Sequence, residues 1–128
     1  MQSNSDAHRA LAEWAAECAE RVLPLFEQDN SRDSRPRQAI AAARAWADSG
    51  MAMTRARQFA LAAHAAAREA GSEAARQAAR AAGHAAATAH VPTHAPHAAN
   101  YALKAVIAAG GDAEAEERWQ DEKLPARG

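Results

Sequence analysis

The sequence predicts an all-α domain, a compact bundle or stacked hairpins of about six short alanine-rich helices. Three observations carry this. Of the 128 residues 48% are hydrophobic yet only 5% are aromatic, and alanine supplies much of the apolar share. Alanine is the best helix former, because it loses no side-chain entropy on ordering. The β-branched residues that favour strands are scarce, and large apolar residues recur at spacings of three and four rather than in alternation.

The first helix is expected from about Ala7 to Glu27, with Ser5 or Asp6 as N-cap. Leu11, Trp14, Cys18, Val22 and Leu25 form its apolar stripe, and Pro24 should kink or fray its last turn. The polar loop from Gln28 to Ser34 leads to Arg35-Pro36. Proline there opens the second helix, where its missing N–H costs little. That helix carries Ile40, Ala43 and Trp46 and should stop near Gly50. A third runs from about Thr54 to Ala70, with Phe59 and Ala63 inward and Gly71 placed as its C′ residue.

Ser72 caps a fourth helix, whose Glu73 suits the positive end of the dipole. This helix reaches about Ala89, ahead of Pro92. Thr93 is the next expected N-cap, and Pro96 falls in the first turn of the fifth helix, where N–H groups are unpaired anyway. Tyr101, Leu103, Val106 and Ile107 follow, up to Gly110-Gly111. A charged sixth helix, about Asp112 to Lys123, offers Trp119 as its large anchor. No period of about 30–45 residues is strong enough to indicate a solenoid, so a bundle is favoured. The domain is expected over residues 7–125, with flexible ends at 1–6 and 126–128.

Fifteen basic and 16 acidic residues give a formal net charge of −1. No global field therefore recruits nucleic acid or an acidic membrane surface. Cys18 stands alone, which excludes an internal disulfide and fits a reducing compartment. The polar start Met1-Gln2-Ser3-Asn4-Ser5-Asp6 lacks the order of a signal peptide. Arginine interrupts every alanine run before the roughly 18 apolar residues a membrane span requires. A cytoplasmic protein is expected.

Four of the six histidines crowd into one segment as His84, His90, His94 and His97. On the fifth helix His94, His97 and Tyr101 fall at i, i+3 and i+7 and share a face. His90 is positioned to approach that face across the Pro92 turn. Neutral imidazoles at such spacing can hold a transition metal, bind a small ligand or pass protons. There is no HExxH and no carboxylate within the cluster, so ordinary capping and buried hydrogen bonds remain the favoured role, and no metal ligand or cofactor is assigned.

Arg35 and Arg37 flank Pro36 at a helix start and are candidates for contacting a partner, since guanidinium groups bind carboxylates in two-pronged fashion. Local ion pairing is the simpler account of both. Arg68, Arg76 and Arg80 read as a solvated face beside Glu69 and Glu73. Trp14 and Trp46 read as core anchors, whereas Trp119 on its short charged helix is a partner-contact candidate. Cys18, in an apolar stripe near Glu17 and Glu20, reads as an inert buried thiol. No GxxxxGK[ST], GxGxxG or GxSxG motif is present, so phosphate cradles and nucleophile elbows have no support. No residue is assigned a catalytic role.

Four stretches in order resemble a known family. They are His8-Arg9-Ala10-Leu11-Ala12-Glu13-Trp14 with Cys18-Ala19-Glu20, Arg35-Pro36-Arg37-Gln38-Ala39-Ile40 with Ala45-Trp46, and Ala63-His64-Ala65-Ala66-Ala67-Arg68. The fourth is Gly83-His84-Ala85-Ala86-Ala87-Thr88-Ala89-His90-Val91, followed by Tyr101-Ala102-Leu103-Lys104-Ala105 and Trp119-Gln120. Over about residues 7–125 the chain is similar to the Imm-5-like immunity proteins of bacteria, whereas Pro92, Pro96 and His97 depart from that pattern. The resemblance implies a cytoplasmic protein, monomer or homodimer, that binds and neutralises a protein toxin, without nucleic acid or membrane as partner. It supplies no catalytic residues. The alternative drawn from the residues is a histidine-lined bundle that binds a small molecule or transition metal, or acts as an enzyme with Tyr101 as acid or orienting group.

Overall fold

A computed structural model describes residues 2–126, with side chains described from residue 6 onward. The expected flexible ends lie in part outside the described residues. Six helices and no strand occur among the described residues: α1 (Gln2–Glu27), α2 (Arg35–Ala47), α3 (Met53–Glu69), α4 (Glu73–Ala87), α5 (His94–Ala108) and α6 (Ala113–Lys123). The fold is all-α, as the alanine content predicts.

The caps explain most of the boundaries. The Ser72 hydroxyl accepts from the Ala75 N–H at 3.2 Å, and the Asp112 carboxylate accepts from the Ala115 N–H at 3.0 Å. Each satisfies one orphan donor of a first turn. α5 ends in a Schellman motif: Gly110 takes φ +78°, its N–H donates to the Ile107 carbonyl, and the Gly111 N–H reaches back to Val106.

Several boundaries depart from expectation. α1 starts ahead of Ala7, so Ser5 and Asp6 lie within the helix rather than at its N-cap position. It also continues past Pro24 to Glu27, with Pro24 on the exposed side and the Asn30 side-chain amide donating to the Phe26 carbonyl at 3.0 Å. α2 ends in its own Schellman motif, but Ser49, at φ +66°, occupies the left-handed position while Gly50 supplies the N–H to the Ala45 carbonyl. Gly71 is not left-handed at all; Ala70 turns extended (φ −68°, ψ 144°) and the chain passes straight to the Ser72 cap. Thr93 makes no side-chain cap, because the turn carbonyls of Val91 and Pro92 already accept from the His94 and Ala95 N–H groups.

α4 is the axis of the molecule and packs against α1, α2, α3 and α5, while α6 lies against α5. Ala75, Ala78, Ala79, Ala81, Ala82, Ala85 and Ala86 are fully buried, together with Gly83. A helix covered on nearly every side can carry only small side chains if its neighbours are to sit within the usual 8–10 Å. The larger volumes come from α1, where Trp14, Cys18, Val22 and Phe26 are buried. The Trp14 indole N–H donates to the Gln120 carbonyl at 3.0 Å, which ties α6 to α1. No helix is long and apolar enough to cross a membrane among the described residues.

Candidate functional site

α4 packs against both α3 and α5, which brings three stripes of side chains together. Helical spacing puts Arg57, Leu61, His64 and Arg68 on one face of α3, Arg76, Arg80 and His84 on one face of α4, and His94, His97, Tyr101 and Lys104 on one face of α5. His84 is the hub. Its ring stacks on Tyr101 (centroids 5.1 Å apart, planes 7° apart) and meets His64 edge-on at 4.9 Å. It also lies 5.2 Å from His94 and 5.4 Å from His97.

Of the sequence candidates, His84, His94, His97 and Tyr101 therefore converge. His90 does not: the α4–α5 turn leaves it exposed and outside the ring contacts. His64 takes part in its place, a residue that spacing along α4 and α5 gives no reason to include. One signal for it was present in the sequence. Gly83 interrupts an alanine helix beside His84, and a Cβ there would fall 2.6–2.8 Å from three atoms of the His64 ring. The glycine is what lets the two helices bring these rings together.

The Nδ1 atoms of His84 and His94 are 3.1 Å apart. One must carry the proton and donate to the lone pair of the other, so at least the accepting ring is neutral and the two protonation patterns are complementary. Burial pushes the His84 imidazole down to about 4, with His64, His94, His97 and Arg80 adding repulsion. Burial likewise lowers His64, helped by Arg68, Arg80 and His94, and lowers His94, helped by His97 and His90. No carboxylate lies among the causes. The Lys104 ammonium stands 4.8 Å and the Arg80 guanidinium 6.0 Å from the Tyr101 ring centre, within or at the edge of cation–π range.

This is a cluster of rings rimmed by cations, with His64, His84 and His94 held toward their neutral forms. No group of three or more His, Cys, Asp or Glu side chains is disposed to hold a metal ion among the described residues. A cleft of about 480 Å³ opens elsewhere, lined by Leu11, Trp14, Pro92, Pro96 and Leu124 and by none of the clustered histidines. The sixth histidine, His8, packs on Trp46 at 4.5 Å and bonds to the Thr88 carbonyl.

The other candidates are engaged within the chain. Arg35 grips Asp33 through two hydrogen bonds of 2.9 and 2.7 Å and reaches Glu69 at 2.7 Å. Arg37 holds Glu27 at 2.8 and 2.6 Å. Trp119 is partly buried against the core, with the Arg21 guanidinium 4.0 Å from its ring centre. Cys18 is fully buried, and burial together with Glu116 and Glu17 pushes its thiol up to about 12.

These features define an all-helical, alanine-packed domain whose surface is organised around imidazoles and cations. The family model described as Imm-5 like putative immunity protein matches residues 1–127, and the chain belongs to that family. No curated protein and no solved structure matches the chain.

Proposed function

We propose that this chain is an immunity protein that binds a bacterial protein toxin and neutralises it by occlusion in the cytoplasm of the producing cell. The observation that supports this reading is the family match across residues 1–127. Occlusion requires surface rather than an active site. A standard complex takes roughly 800 Å² from each partner, about a tenth of the 6838 Å² this domain exposes. The complex would be stoichiometric and show no turnover.

Co-expression with each toxin module encoded by the same genome tests the reading. One module should lose its toxicity and co-purify with the chain at a fixed ratio. If growth is rescued from none of them and no purified pair forms a complex, the reading fails.

A second reading rests on the convergence of His84, His94, His97 and Tyr101. Here the cluster would pass protons or hold a small ligand, and His94→Ala would abolish activity without unfolding the chain. The toxin reading is preferred because Tyr101 is already engaged by His84, Lys104 and Arg80.

A further inference from the structure

We propose that the face built from α3, α4 and α5 docks an acidic protein surface, with Arg57, Arg68, Arg80 and Lys104 as its charged contacts and Leu61 as its apolar one. The proposal rests on the toxin-binding reading and deepens it, because it names the face used and the chemistry of the partner.

Charge is segregated along this chain although its total is near zero. Between residues 53 and 108 the sequence carries Arg55, Arg57, Arg68, Arg76, Arg80 and Lys104 against only Glu69 and Glu73. Both acids are spent internally, Glu69 on Arg35 of α2 and Glu73 on Arg76. Arg57, Arg68, Arg80 and Lys104 have no ion-pair partner among the described residues, whereas Arg9, Arg21, Arg35, Arg37 and Arg44 on α1 and α2 each have one. A like-charged patch without direct ion pairs, eased only by the longer-range pull of Glu69 on Arg68 and of Glu73 on Arg80, costs self-repulsion, and such patches steer and select partners of opposite charge.

Three of these cations are tied together, and Arg57 shares their α3 face by helical spacing. Arg80 and Lys104 both stand over Tyr101, and Arg68 and Arg80 both act on His64. Residues 57–68 span about 17 Å of α3, and three helices about 8–10 Å apart give a face roughly 25–30 Å wide. That footprint is on the order of 500 Å², most of one partner's share of a standard interface. Leu61 lies on this face 61% exposed, the most exposed large apolar residue described. Cations around an exposed leucine match a carboxylate-rimmed protein surface with an apolar centre. Nucleic acid is the poorer match, since the aromatic rings are stacked on one another and not presented to bases.

Carboxylates docking here would also favour the protonated forms of His64, His84 and His94, which the present surroundings hold neutral. Complex formation should therefore take up protons, and a merely structural cluster would not.

The test has two arms. In the first, a hexaglutamate peptide is titrated into isotope-labelled protein at low salt, with a short DNA duplex as the comparison. Amide shifts confined to the stripes of residues 57–68, 76–84 and 97–104 are expected with the peptide; shifts spread evenly, or tighter binding of DNA at the same face, would overturn the proposal. In the second, Arg68→Glu with Lys104→Glu should weaken the complex with a neutralised toxin at least tenfold, with heat of binding that depends on buffer ionisation, while Arg32→Glu in the α1–α2 loop leaves it within twofold. A toxin held equally well by the charge-reversed chain would place its interface elsewhere and overturn the proposal. If the peptide arm succeeds and the wild-type chain neutralises no toxin module, the face stands and the immunity reading falls.

Discussion

Gly83 and His64 occupy the same space as closely as two residues can: a Cβ on the glycine would sit 2.6 Å from the His64 Cε1. Alanine in a helix interior is normally worth about 1 kcal/mol over glycine. Here the added methyl must expel a half-buried ring, and overpacking of this kind costs about 1–3 kcal/mol. Gly83→Ala is therefore expected to destabilise the fold by about 1 kcal/mol in urea unfolding. In a His64→Ala background the same change should stabilise it, because only the helix preference remains. Additivity of the two changes would show that the contact carries no energy.

Stability should fall in mild acid. His84, held down to about 4 by burial and by His64, His94, His97 and Arg80, resists a proton that the unfolded chain accepts near 6.5. His64 and His94 are lowered in the same direction. The unfolded state then binds more protons, so stability is complete above about pH 6.5 and is lost progressively as pH drops toward 4. His84 is partly open to water, and after allowing for screening the loss is roughly 1–2 kcal/mol. Thermal melts at pH 7 and pH 4.5 should differ by about 4–8 °C from this source. His84→Gln should flatten that dependence, and an unchanged profile would contradict it.

Cys18 should be silent until the chain unfolds. Its thiol is fully buried and pushed up to about 12, and only the thiolate reacts readily. Labelling by a disulfide reagent at pH 8 should run at least a hundredfold slower in the native protein than in denaturant. Rapid native labelling would show that α1 opens around this position.

α6 is held by the buried Glu116 carboxylate, by the Trp14 indole, by the Gln120 amide, which donates to the Ala99 carbonyl at 2.9 Å, and by Trp119 against the core. Glu116 is 5% exposed and accepts from the Arg21 Nε at 3.0 and 3.2 Å. Arg21→Ala leaves that carboxylate buried without its cation, at a cost of about 1–3 kcal/mol. The loss should appear first as faster amide exchange in residues 113–123. Equal acceleration across α4 would instead mean global destabilisation.

The fold was readable because local signals agreed with one another. Alanine content, the Ser72 and Asp112 caps, Pro36 at a helix start and Gly110-Gly111 at a helix end all act within a few residues. The misplaced ends share a cause. Ser49 and Gly50, or Gly71 and Ser72, offer two ways to leave a helix, and the neighbouring turn decides between them. The site was half readable. His94, His97 and Tyr101 are related by helical spacing, but His64 comes from another helix and His90 is turned outward. The basic face was hidden altogether, because which arginines are neutralised depends on pairs such as Arg35–Glu69 and Arg44–Glu20, whose partners lie far apart in sequence.

The proposed action of this chain is to cover a toxin with its α3–α5 face. Amide hydrogen exchange, measured on the chain alone and on its complex with a toxin it neutralises, tests this most directly. Slowed exchange along the α3, α4 and α5 stripes of residues 57–68, 76–84 and 97–104, with α2 and α6 unchanged, is the predicted result. Protection centred on α2 or α6, or a toxin that the chain consumes catalytically without a lasting complex, would contradict it.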